Sequence, residues 1–221
     1  MLALLLLPGP APSGAPAMAE YAVRWDPARG GLASIEDVLG FFGAPETKGE
    51  TYEVRYFDLP RPAGAPTDAT VILRRRRKAG GASEIRLKYR TAKPLARGWS
   101  CPAGGGFRPS EEVDVTVVGS GPPGRFYAYS CTLSAEEPPA FLAAAPKRCA
   151  SRMSRYVFRG FKIEEWILPG GAAELEVSRR APNDDGELAR FERLVSRLRE
   201  RGVRPSDRSK TELGSDCPDE K

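Results

Sequence analysis

Apolar and charged residues alternate along much of the chain. Residues 84 to 90 read EIRLKYR, which puts Glu84, Arg86, Lys88 and Arg90 on one side and Ile85, Leu87 and Tyr89 on the other. Successive side chains of a strand point to opposite faces, so this segment predicts a strand with one charged and one apolar face. It follows TVILRRRRK, residues 70 to 78, across a Gly-containing turn at Ala79 to Ser83, and the two segments read as a hairpin. Arg74 and Arg76 then join Arg86 and Lys88 in one basic surface. Arg75 and Arg77 have the opposite parity and are expected to be exposed. EEVDVTVV, 111 to 118, alternates in the same way, with Glu112, Asp114 and Thr116 against Val113, Val115 and Val117.

Further strands are expected at residues 20 to 25, in TYEVRYFDLP (51 to 60, stopped by Pro60) and in RFYAYSCTLS (125 to 134). SRYVFRGFKIEEWIL and AAELEVSRR also read as strands, joined by a turn at Pro169-Gly170-Gly171. Helical spacing appears in GGLASIEDVLGFFG, where Ser34 caps and Asp37 follows three residues later. It recurs in DDGELARFERLVSRLRERG, where Leu188, Phe191, Leu194, Val195 and Leu198 share a face before Gly202. PPAFLAAAP predicts a small helix, and residues 91 to 110 a loop. The total is about eight strands and few helices in one unit, without an internal repeat. The polar strand faces carry both signs of charge, which in a closed barrel would line the interior.

Composition narrows the chemistry. The 221 residues carry 34 Lys and Arg against 29 Asp and Glu, so the local clustering of cations says more than the net +5. A crowd of like charges on one surface calls for an anion or neighbouring carboxylates. Histidine is absent, which excludes imidazole bases and histidine metal ligands. The four cysteines, Cys101, Cys131, Cys149 and Cys217, form no CxxC pair, and their even number permits disulfides, at least one of them among Cys101, Cys131 and Cys149. Residues 1 to 19, MLALLLLPGPAPSGAPAMA, resemble a secretory leader ending in Ala17-Met18-Ala19, so export is expected. No later segment approaches the ~20 apolar residues of a membrane-spanning helix. Glu164-Glu165 beside Trp166 reads as surface charge. The charged hairpin face has no stripe of aromatics for stacking bases, so no nucleic-acid partner is expected.

The order of motifs resembles the CYTH superfamily, the triphosphate tunnel metalloenzymes. Tyr56-Phe57-Asp58-Leu59-Pro60 is similar to that family's Y-F-D-T-P, Leu73 to Arg77 to its L-R-I-R-R, and Ile85-Arg86-Leu87-Lys88 to its L-T-L-K. Glu112-Val113-Asp114, Ser154-Arg155-Tyr156, Glu174-Leu175-Glu176 and Ser209-Lys210-Thr211 follow in the family's order. The resemblance implies a mainly β domain over residues 20 to 213, an eight-stranded antiparallel barrel or tunnel with peripheral helices; residues 214 to 221 are expected to be a disordered tail. It also implies hydrolysis of a triphosphate or polyphosphate with Mg²⁺ or Mn²⁺. Arg24, Arg74, Arg76, Arg86, Lys88, Arg155 and Lys210 would bind phosphate, and Glu112, Asp114, Glu174 and Glu176 would hold metal or orient water; no catalytic group is singled out. The first strand departs from the family's E-x-E-x-K: it reads Glu20-Tyr21-Ala22-Val23-Arg24, with alanine at the second glutamate. A non-catalytic polyanion-binding protein is therefore the alternative.

Overall fold

A computed structural model describes residues 17–62, 65–94, 100–103, 105–147 and 149–218. Most of the expected leader lies outside these residues. Its last two residues are strand, because β1 runs Met18–Trp25 and buries Ala19. The remaining strands are β2 Glu50–Asp58, β3 Thr70–Lys78, β4 Ser83–Thr91, β5 Arg108–Thr116 and β6 Gly124–Ser134. After them come β7 Ala145–Pro146, β8 Ser151–Phe158, β9 Phe161–Ile167 and β10 Ala173–Pro182. The helices are α1 Ile35–Phe42, α2 Asp185–Glu200 and α3 Lys210–Ser215.

The strands hydrogen-bond in the order β3-β4-β6-β5-β1-β10-β9-β8-β2, and β2 pairs back to β3, so nine described strands close into a barrel while β7 lies outside against β2. Closure leaves these nine strands no free edge. Two expectations are corrected. The barrel is nine-stranded because SRYVFRGFKIEEWIL is two strands, which turn at Arg159 and Gly160 with φ of 47° and 83°. Such left-handed turns favour Asn or Gly at both centres, and the arginine hid this one. The barrel is also mixed, because β1 inserts parallel to β5 while pairing antiparallel with β10.

Most apolar strand faces point outward, whereas Val54, Tyr56, Ile72, Met153 and Trp166 form a separate cluster that reaches the interior cavity through Tyr56 and Ile72. Val23, Trp25, Val115, Leu175 and Val177 pack beneath α1 and α2, where Val38, Leu39, Phe191, Val195 and Leu198 are buried. Each such side chain contributes about 1.5–3 kcal/mol when fully buried. Ser34 and Asp37 form the expected reciprocal capping box at the start of α1, and Asp184 caps α2 by accepting from the Glu187 amide. Residues 140 to 142 make only a single 3₁₀ turn. A second outer cluster, with Leu73, Ile85, Leu87 and Tyr129, includes the Cys101–Cys131 disulfide; Cys149–Cys217 is the other. No described helix is long and apolar enough to cross a membrane.

Candidate functional site

Strand register sorts the interior charges into rows. Arg24, Glu176, Glu164 and Arg155 are successive neighbours across β1, β10, β9 and β8. Directly opposed side chains lie only about 5 Å apart, so this row must pair its charges. Arg24 Nε donates to Glu176 Oε2 at 3.2 Å, and Arg155 donates to Glu164 Oε1 through Nε (2.8 Å) and Nη2 (2.6 Å). Trp166 Nε1 donates to the other Glu164 oxygen at 2.9 Å. Lys210, the first residue of α3, enters between the carboxylates, its Nζ 2.7 Å from Glu176 Oε1 and 3.2 Å from Glu164 Oε2. Glu164 is only 2% exposed, which works to raise its pKa, yet Lys210 and Arg155 hold it well below the usual carboxylate range. Burial opposes the Lys210 charge too, and Glu164 and Glu176 outweigh it, raising its pKa.

The second cluster lies where β1 meets β5. Glu20 and Asp114 are register neighbours, and carboxylate oxygens of Glu20, Glu112 and Asp114 all lie within 4.8 Å of one another. The donors are hard oxygens, and two ligands on opposite sides of one ion lie about 4.2 Å apart for Mg²⁺ and about 4.8 Å apart for a larger ion, so the three residues could hold one divalent cation, with a small inward shift for Mg²⁺. Lys88 Nζ lies 3.0 Å from Asp114 Oδ1 and 3.8 Å from Glu112, and Arg90 Nε donates to Asp114 Oδ2 at 2.8 Å. Burial raises the Glu112 pKa, and the nearby Glu20 and Asp114 charges add to the rise against Lys88. Burial works the same way on Glu20, but Lys162, Lys88 and Lys210 override it and lower its pKa to about 2.

Between the clusters is a cavity lined by six cations (Arg24, Arg74, Arg86, Lys88, Arg90 and Lys210) and three carboxylates (Glu20, Asp114 and Glu176). Arg74 makes no hydrogen bond or ion pair with any described residue, and the buried Nε of Arg86 has no partner. Arg76 occupies the same face of β3 but turns to Glu84, 3.2 Å away, and sits over the Tyr52 ring. Its pKa is lowered to about 10, first by burial and then by Arg155 and Arg74. Burial opposes the Arg74 charge, and Tyr56, Glu164, Glu20 and Glu84 outweigh it from a distance and raise its pKa, so Arg74 keeps its charge while its own donors stay open.

The structure brings Arg24, Arg74, Arg86, Lys88 and Lys210 to one cavity, together with Asp114 and Glu176. Arg155 and Arg76 lie beside it with their own carboxylate partners. Glu112 and Asp114 gather with Glu20, whereas Glu176 is taken by Arg24 and Lys210, and buried Glu174 accepts from Ser206 Oγ at 2.9 Å. Two readings of single residues change. Glu164 is an interior bridge, its face hidden in the sequence by the adjacent Glu165. Arg75 lies outside the cavity but is 8% exposed, held by Glu53 and Glu137. Arg77 is exposed, as its parity predicts. Arg90 continues the alternation of Arg86 and Lys88, and that parity was its signal.

α3 closes the barrel beside β2. A Cβ on Gly214 would come 2.6 Å from the Tyr56 ring, so this turn of helix approaches the barrel only without a side chain there. The Tyr56 hydroxyl donates to the Lys210 carbonyl at 3.4 Å, and Cys217, just beyond α3, is bonded to Cys149. The disulfide therefore limits how far Lys210 can swing out. Replacing Cys149 and Cys217 together by serine is expected to weaken tripolyphosphate binding several-fold, approaching Lys210→Ala, while the same change at Cys101 and Cys131 leaves affinity unaltered. Calorimetric titration of the two double variants checks this.

By sequence, the chain matches no family model and no curated protein. By structure, it is similar to a protein of Pyrococcus horikoshii OT3, at 16% identity and a TM-score of 0.50, over 88% of this chain and 98% of that one. It is equally similar to a Hippeastrum protein, ascribed adenylyl cyclase activity and described as showing a dominant triphosphatase activity, at 14% identity and a TM-score of 0.50, over 87% and 92%. At these identities the likeness is one of fold.

Proposed function

We propose that the barrel interior binds a linear triphosphate or polyphosphate, and that the chain is a metal-dependent hydrolase of such compounds, a CYTH-type phosphohydrolase with an altered first strand. The supporting observation is the unpaired Arg74 guanidinium, next to the open Nε of Arg86, in a cavity with twice as many cations as carboxylates. Guanidinium forks suit phosphate oxygens, and charge-assisted bonds to them are the strong ones. Arg74 and Arg86 would grip the chain from one wall while Arg24 and Lys210 face it from the other. A Mg²⁺ or Mn²⁺ held by Glu20, Glu112 and Asp114 would neutralise charge arriving on the leaving oxygen. The Hippeastrum neighbour supports the substrate class. The two disulfides favour an oxidising compartment and so support export.

The second reading is capture without hydrolysis. Ala22 stands between Glu20 and Arg24 on the cavity wall, and the carboxylates that would serve a metal are already engaged: Asp114 by Lys88 and Arg90, Glu176 by Arg24 and Lys210. The test is a phosphate-release screen over nucleoside triphosphates, thiamine triphosphate, tripolyphosphate and long polyphosphate, with and without Mg²⁺ or Mn²⁺, paired with melting curves. Release that requires metal is the expected result. A raised melting temperature without release under any metal selects capture, and no shift with any phosphate compound defeats both.

A further inference from the structure

A second cationic site lies outside the barrel, away from the cavity. Phe42, Phe158, Phe161 and Leu194 floor a groove between α2 and the β8–β9 hairpin, rimmed by Arg159, Arg190, Arg193 and Arg197 with no carboxylate in the lining. It adjoins a smaller cavity that shares Phe161, Arg190 and Leu194, reaches Tyr21, Val177 and Phe191, and carries Glu187 paired with Arg179 and Arg190. Arg190 is held by Glu187, whereas Arg159, Arg193 and Arg197 have no ion-pair partner among the described residues. Arg197 lies 4.9 Å over the Phe41 ring and Arg159 5.1 Å over Phe158. Arg159 also stands at φ 47°, a left-handed position that a side chain of its kind rarely adopts. Asn would meet that turn more cheaply, and the arginine that stands there instead lines the groove.

We propose that this groove binds a single-chain anionic amphiphile, its tail along Phe42, Phe158, Phe161 and Leu194 and its acidic head among Arg159, Arg193 and Arg197. The apolar floor and unpaired cationic rim match the two halves of such a molecule. A second copy of this chain would bring like charges together. A peptide strand finds no free edge on the closed barrel, and a flat bilayer does not enter a concave groove. Carboxylate and phosphate heads share the required chemistry.

Titration calorimetry on the full chain would use laurate and dodecyl phosphate below their micelle concentrations, with dodecanol as tail alone and inorganic phosphate as head alone. Either amphiphile should bind at least about tenfold tighter than dodecanol or inorganic phosphate, and the preferred one names the head group. Replacing both Arg193 and Arg197 by glutamate should weaken it by roughly tenfold or more, whereas Arg74→Ala should leave it unchanged because Arg74 faces the cavity. Arg159→Asn should weaken binding while raising the melting temperature, a pairing that a merely structural arginine would not give. The proposal is overturned if dodecanol binds as well as laurate and dodecyl phosphate, or if the double charge reversal changes nothing. It is also overturned by pelleting on phosphatidylglycerol vesicles without monomer binding, or by a dimer in sedimentation velocity that the reversal disperses.

Discussion

Arg74→Ala is expected to weaken tripolyphosphate binding by about tenfold to a hundredfold, the loss of one or more charge-assisted contacts of roughly 1.5–3 kcal/mol. Arg75→Ala, one residue along, should leave affinity unchanged. The two side chains leave β3 on opposite faces. Arg74 enters the cavity without a hydrogen-bonding partner, while Arg75 donates to Glu137 at 2.7 Å and to the Glu136 carbonyl at 3.1 Å on the outside wall. Arg75→Ala should instead lower stability, since it is buried and engages Glu53 as well. Arg74→Lys keeps the charge but loses the planar fork and should fall between. Affinity should decline with added salt, although less steeply than for an exposed site. Calorimetry on the three variants decides it: equal losses at positions 74 and 75 would mean that the basic run is an ordinary charged face.

Glu164→Gln should be the most destabilising single change in the interior, at about 3–5 kcal/mol. The substitution keeps volume but takes the ion-pair partner from Arg155 and leaves Lys210 with the Glu176 carboxylate alone. Total stabilities of domains run to roughly 5–15 kcal/mol, so the variant should show a much reduced urea midpoint. Tripolyphosphate should recover part of the loss by supplying negative charge next to Lys210. Acid should mimic the substitution. Because the folded-state pKa of Glu164 is depressed, its stabilising contribution is complete above the ordinary carboxylate pKa of 4.5 and is lost as the pH falls toward its folded value. Unfolding curves of both proteins should therefore converge in strong acid. A penalty below about 0.5 kcal/mol at neutral pH would return Glu164 to the surface-charge reading.

Much of this molecule is legible in its sequence because strand parity is local. The alternation in EIRLKYR fixes Arg86, Lys88 and Arg90 on one face whatever the partner strands are, and EEVDVTVV does the same for Glu112 and Asp114. Capping chemistry is local too, and both longer helices begin at their capping residues. Where local signals fail, the reading fails with them: the β8–β9 turn carries arginine instead of asparagine, and Glu164-Glu165 offers the same charge to both faces.

Tertiary structure alone decided which charged faces meet and who pairs with whom. The β9–β10 hairpin sets Glu176 beside Glu164, but only the folded barrel brings Arg24 to this pair from β1 and Lys210 from the far end of the chain, on α3 and held near by Cys149–Cys217. The parallel β1–β5 pair brings Glu20 to Asp114 and makes the carboxylate cluster a property of Glu20, Glu112 and Asp114 instead of Glu174 and Glu176. Parity determines the face a residue takes, but a charge is paired or left open by distances of a few ångströms between strands remote in sequence. Those distances exist only once the barrel has closed.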